Sequence, residues 1–120
     1  MNARTTRMLL SLALLLLACP QLARAQFGPQ NTLTTNALDA TGVYATDLDG
    51  DGDADVLLAS SDDKIAWYEN LGGGSFGPQD TLTTNVDKAE SVYATDLDGD
   101  GDADVLSASS DDDKIAWYEN

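Results

Sequence analysis

A chain of 120 residues carries 21 acidic side chains against six basic ones, a net charge of −15, with one cysteine and no histidine. That balance excludes nucleic acid and anionic membrane as partners, because both need a basic surface. The missing histidine excludes Ser-His and Cys-His nucleophile systems, and the acidity suits a protein that meets cations.

At the N-terminus, Arg4 and Arg7 precede an apolar run over residues 8–18 that stops at Pro20. The run is shorter than the roughly 20 residues a bilayer-spanning helix requires. With Ala23-Arg24-Ala25 following as an A-x-A cleavage site, residues 1–25 read as a secretory signal peptide, and the mature chain starts at Gln26. A buried N-terminal helix is the bland alternative, although residues 12–17 are apolar on every face and no comparable apolar partner follows. Leu16-Leu17-Ala18-Cys19 also resembles a bacterial lipobox, in which Cys19 would be lipidated and kept as an anchor. Either processing predicts a secreted or cell-surface protein without membrane insertion of the mature chain. Cleavage after residue 25 removes all three arginines and the cysteine, so Lys64, Lys88 and Lys114 face the 21 acids. No disulfide can then form within the mature chain, despite the oxidising compartment.

The rest of the chain repeats itself. Phe27-Gly-Pro-Gln recurs as Phe76-Gly-Pro-Gln, Thr32-Leu-Thr-Thr-Asn36 as Thr81-Leu-Thr-Thr-Asn85, and Val43-Tyr-Ala-Thr as Val92-Tyr-Ala-Thr. One extra aspartate in the 111–113 run shifts Lys64-Ile-Ala-Trp-Tyr-Glu-Asn70 to Lys114–Asn120. Residues 26–75 are one repeat and 76–120 a second. A unit of this size points to a propeller or solenoid, in which each repeat buries its apolar face on its neighbours.

Within a repeat, residues 42–45, 55–59, 64–69 and 76–83 are short, rich in β-branched and aromatic side chains, and bounded by Gly, Asp, Asn or Ser clusters. They predict four strands, with turns at 60–63 and 71–75. Ile65 and Trp67 fall on one face of their strand, and Ala66 and Tyr68 on the other. This stripe reads as core packing. Trp67 and Trp117 could instead stack on sugars, but their place inside strands favours the core. No window of helical period follows the signal, so the mature chain is predicted to be all-β.

Between the first two strands, residues 47–55 hold five aspartates in nine positions, and 96–104 repeat them. Two carboxylates about 4 Å apart repel by roughly 4 kcal/mol at an effective dielectric near 20, so a tight turn of this kind needs its charge cancelled. The pattern is D-x-D-x-D-G-x-x-D. In such a loop the side chains at positions 1, 3, 5 and 9 converge with the carbonyl of position 7. The candidate ligands are Asp47, Asp49, Asp51, the Asp53 carbonyl and Asp55, then Asp96, Asp98, Asp100, the Asp102 carbonyl and Asp104. Oxygen ligands without His or Cys exclude a typical zinc or copper site. Mg²⁺ seldom occupies an all-protein cage, which leaves Ca²⁺. A solvated acidic turn without an ion is the bland alternative. An EF-hand is excluded by Leu58 and Ser107 where its position-12 Glu belongs, and by strand-like flanks.

Aspartate loops between strands, followed by Lys-Ile-Ala-Trp-Tyr-Glu-Asn, a Gly-rich turn and Phe-Gly-Pro, resemble the FG-GAP/VCBS repeat of integrin-α-type β-propellers over residues 27–120. The resemblance implies four-stranded antiparallel blades with Ca²⁺ in the loop joining the first two strands of each. Two blades are too few to close a ring, since propellers need four to eight. The chain is therefore expected to be a fragment of a larger propeller, a subunit of one assembled from several chains, or a small open unit. The expected function is a non-enzymatic, calcium-stabilised module for adhesion to, or recognition of, an extracellular protein or glycan. The alternatives are a lectin and a non-catalytic accessory domain of an extracellular enzyme. Asp62, Asp63 and Asp111 to Asp113 could in principle serve glycoside chemistry, but hairpin turns are where solvated acids are expected.

Overall fold

The computed structural model describes residues 26–120, so the expected signal peptide and Cys19 lie outside the described residues. Two units divide the chain, Met1–Gln30 and Asn31–Asn120. Of the first, the described residues 26–30 form neither helix nor strand. The second holds seven strands: β1 Ala40–Thr46, β2 Asp55–Ser60, β3 Lys64–Tyr68, β4 Asp80–Thr83, β5 Ala89–Thr95, β6 Asp104–Ser109 and β7 Lys114–Tyr118. No helix occurs among the described residues.

The strands form two antiparallel sheets, β1-β2-β3-β4 and β5-β6-β7. Identical sequence gives identical register. Leu57 pairs with Trp67 and Tyr44 in the first sheet, as Leu106 pairs with Trp117 and Tyr93 in the second. The hairpins joining β2 to β3 and β6 to β7 turn through Asp63 and Asp113, whose φ of 54° and 52° lie in the left-handed region that Asp tolerates better than most residues.

Two expectations need correcting. The strand expected over 76–83 is confined to Asp80–Thr83, with Phe76 making only an isolated bridge to Asn70. Pro78 sits between them without an amide hydrogen, and such a residue cannot donate to a ladder. The second sheet has three strands among the described residues, not four, and neither sheet closes on itself.

The core lies between the sheets, with β5 lying across β1 and β2. Leu57, Ala59 and Ile65 supply one side, and Val92, Ala94 and Val105 the other, with Tyr44, Trp67 and Tyr118 packed at its border. Leu57 and Ile65 are fully buried, and each stabilises the stack by roughly 1.5–3 kcal/mol. Gly42 permits the close approach, because a Cβ there would meet the Ser91 Cα at 3.2 Å. Next to it, the Thr41 hydroxyl donates across the stack to the Ala89 carbonyl at 2.6 Å. Trp117, expected in the core like Trp67, is 46% exposed. It shares a cross-strand row with Leu106 and Tyr93, on the face opposite Val92, Ala94 and Val105.

Candidate metal centres

Each aspartate loop leaves one sheet strand and enters the next, so the ends of β1 and β2 fix its two ends. Gly50 and Gly52, at φ of 79° and 96°, make the bends that let the chain curl back on its own carboxylates. Backbone amides then converge on those carboxylates. Asp47 accepts from Gly50 N–H at 2.8 Å and Gly52 N–H at 3.0 Å, Asp49 from Asp51 N–H, and Asp51 from Asp53 N–H. Asp55 closes the loop from the start of β2, taking Leu48 N–H on one oxygen and Asn70 N–H on the other, at 2.9 and 2.7 Å.

The second loop reproduces the pattern bond for bond. Asp96 accepts from Gly99 and Gly101, Asp98 from Asp100, Asp100 from Asp102, and Asp104 from Leu97 and Asn120. Asp55 and Asp104 are buried, at 1% and 0% exposure, which a carboxylate tolerates only when its oxygens are bonded. The amides of Leu97 and Asn120 hold the Asp104 carboxyl below the usual carboxylate range, against the burial that pushes it up.

The folding of each loop gathers three carboxylates. Asp47, Asp49 and Asp55 place one oxygen each within 4.8 Å of one another, and so do Asp96, Asp98 and Asp104. Asp51 and Asp100 stand outside these clusters, on the same loops, with one oxygen turned to the next amide but one. Asp53 and Asp102 are exposed at the loop tips.

No lysine offsets this charge. Lys64 and Lys114 open β3 and β7 and Lys88 precedes β5, all at the opposite end of the sheets from the loops. Their ion pairs run to Asp62, Asp112, Glu90 and Asp111 in that far region. The acids weighed for glycoside chemistry therefore partly occupy hairpin ion pairs, Asp112 also accepting from the Ser109 hydroxyl. The donor set that remains in each loop, all oxygen and all anionic, fits a hard divalent cation.

Sequence reading missed Asn70 and Asn120. Each ties the end of its repeat to the loop, by its own amide to the buried aspartate and by its side-chain nitrogen to the carbonyl of Ala54 or Ala103. The available signal was the recurrence of Asn after Trp-Tyr-Glu in both repeats.

The sequence model of the FG-GAP-like repeat matches residues 47–107, from the first aspartate of one loop through the whole of the other. The chain belongs to that repeat family. Searches of curated proteins and of solved structures gave no match to it.

Proposed function

We propose that the chain is a secreted or cell-surface recognition module, non-enzymatic, in which Ca²⁺ is a structural element of each repeat. One observation carries this reading: three carboxylates converge in each loop while every lysine of the described residues lies at the other end of the sheets. Asp47, Asp49 and Asp55 would hold one ion, and Asp96, Asp98 and Asp104 the other. The Asp51 and Asp100 side chains and the Asp53 and Asp102 carbonyls complete the sets implied by the family. The ion supplies positive charge that ties the β1–β2 and β5–β6 connections together. The sheets then act as propeller blades, in a larger chain or assembly, and leave other surfaces for an extracellular protein or glycan.

Calorimetric titration with Ca²⁺ and Mg²⁺, paired with melting in EDTA, tests the ion. Binding of Ca²⁺ in preference to Mg²⁺, with a large fall in Tm on chelation, is expected. No heat with either ion and an unchanged Tm would remove the structural role. A glycan array separates the lectin reading from protein adhesion.

A further inference from the structure

The two repeats meet in a pair of identical residues. Tyr44 of β1 and Tyr93 of β5 hold the same position in successive repeats, and their ring centroids lie 4.6 Å apart with the planes tilted by 50°. Aromatic pairs span about 4.5–7 Å, so these rings touch at the close end of the range. The Tyr93 hydroxyl is the first reason, and burial the second, that the Tyr44 phenol titrates above its ordinary value. The hydroxyl ends of the rings are thus neighbours as well as their centres, and the ring carbons beside each hydroxyl come within reach of one another. In an oxidised phenol the unpaired electron is shared between the oxygen and those carbons. We propose that Tyr44 and Tyr93 are a modification site, at which a one-electron oxidant joins the two repeats through a dityrosine bond.

The surroundings direct such chemistry to this pair. Residues 26–120 hold no cysteine, methionine or histidine, so their readily oxidised side chains are four tyrosines and two tryptophans. No disulfide can tie one of these repeats to the other. Tyr68 is buried, with its hydroxyl donating to Gln79, and the Tyr118 hydroxyl lies 3.4 Å from that of Ser107. Among the described residues only Tyr44 and Tyr93 stack ring on ring. Tyr44 is half-buried and Tyr93 is 51% exposed, so a small oxidant reaches the pair from solvent. The backbone beneath them is held, because the Thr41 hydroxyl donates to the Ala89 carbonyl and Gly42 admits β5 closely at Ser91. Groups fixed in contact react as if at very high local concentration, which favours coupling within one chain over coupling between chains.

The step balances on two electrons. Each phenol gives one electron to the oxidant and its hydroxyl proton to water, which leaves two phenoxyl radicals. These combine by forming a carbon–carbon bond between ring positions next to the hydroxyls. The hydrogen on each of those carbons then moves to its oxygen, both phenols are restored, and the chain is lighter by two hydrogen atoms. Where peroxide is the final acceptor, it takes up both electrons with two protons and leaves as two molecules of water. The new bond closes residues 44–93 into a loop, and a cross-link of that span lowers the entropy of the unfolded chain. It ties β1 to β5 covalently where the sequence offers no disulfide.

Photo-oxidation by ruthenium tris-bipyridyl and persulfate, with the chain dilute, tests the site. Cleavage after Lys64, Lys88 and Lys114 puts each tyrosine on a separate peptide, so mass spectrometry reads which rings have joined. The expected product is a chain still of single-copy mass but two hydrogens lighter, with dityrosine fluorescence. It should yield a single linked pair, the peptide ending at Lys64 joined to residues 89–114. Its Tm should rise by roughly 10–30 °C. Tyr44→Phe and Tyr93→Phe should each abolish the link, Tyr118→Phe should leave it, and unfolding in urea before oxidation should destroy the selectivity. Links that form only between chains, a pair other than Tyr44 with Tyr93, or tryptophan oxidation without any link in the folded parent overturns the proposal. The parent's own peptides identify the link, so the outcome does not depend on the folding of any variant.

Discussion

The side chain of Asn120 donates to the carbonyl of Leu48 at 2.7 Å, a bond from the last residue of the second repeat to the aspartate loop of the first. The same side chain donates to Ala103 O in its own loop. One amide thus spans both candidate metal centres, and stability of one loop is linked to order in the other. Asn120→Ala should cost about 1–2 kcal/mol. For a domain of this size each kcal/mol lowers Tm by about 4–8 °C, measurable by calorimetry with Ca²⁺ present.

Asp49 and Asp55 should respond differently to amide replacement. Asp49 is exposed and accepts one amide, so Asp49→Asn relieves repulsion in the ion-free loop at little structural cost. Its expected signature is an unchanged or raised Tm in EDTA with a reduced Ca²⁺-induced shift. Asp55 is buried with an N–H aimed at each oxygen. Asp55→Asn turns a donor toward one of those donors, costing about 1–3 kcal/mol, so its Tm should fall with or without the ion. Paired melts in Ca²⁺ and in EDTA check both.

Extracellular modules hold Ca²⁺ with dissociation constants of about 10⁻⁴ to 10⁻³ M, so roughly 10 mM Ca²⁺ should add about 1.4–2.7 kcal/mol per site. Urea unfolding at graded Ca²⁺ measures this increment. A double variant, Asp49→Asn with Asp98→Asn, should lose most of it.

Gly42→Ala should overpack the stack. The new Cβ meets backbone of β5, the Ser91 Cα at 3.2 Å and the Glu90 carbonyl at 3.4 Å, and backbone yields less readily than a side-chain tip. The expected cost is about 1–3 kcal/mol, read as a lower urea midpoint with an unchanged slope.

The Asp112–Lys114 pair, 2.7 Å apart, sets a pH window. The ammonium of Lys114, then the Ser109 hydroxyl, hold the Asp112 carboxyl below its ordinary range, while Asp112 raises Lys114 above its own. The depressed acid contributes stability that is present above its unfolded value of about 3.9 and lost as pH falls through the lower folded value. The raised base contributes stability that is present below about 10.4 and lost as pH rises through the higher folded value. The stability difference between the parent and Lys114→Met should therefore be flat through the neutral range and shrink at both extremes. Urea midpoints across pH test this.

The repeat, the strand order and the aspartate loops were legible because each is encoded by neighbours in the chain. Alternation fixes which side chains share a face, Gly50 and Gly52 allow the loop to bend, and duplication of residues 46–57 at 95–106 marks the pattern as a repeated unit. Stacking alone determined the rest. Trp67 and Trp117 occupy the same motif, yet one packs against the core and the other lies half in solvent, because burial depends on which sheet covers that face. Asn120 reaches Leu48 across 72 positions, a distance no local pattern spans. Local sequence sets dihedral angles and side-chain periodicity, whereas the packing of one sheet on another decides which of two identical segments is core and which is surface.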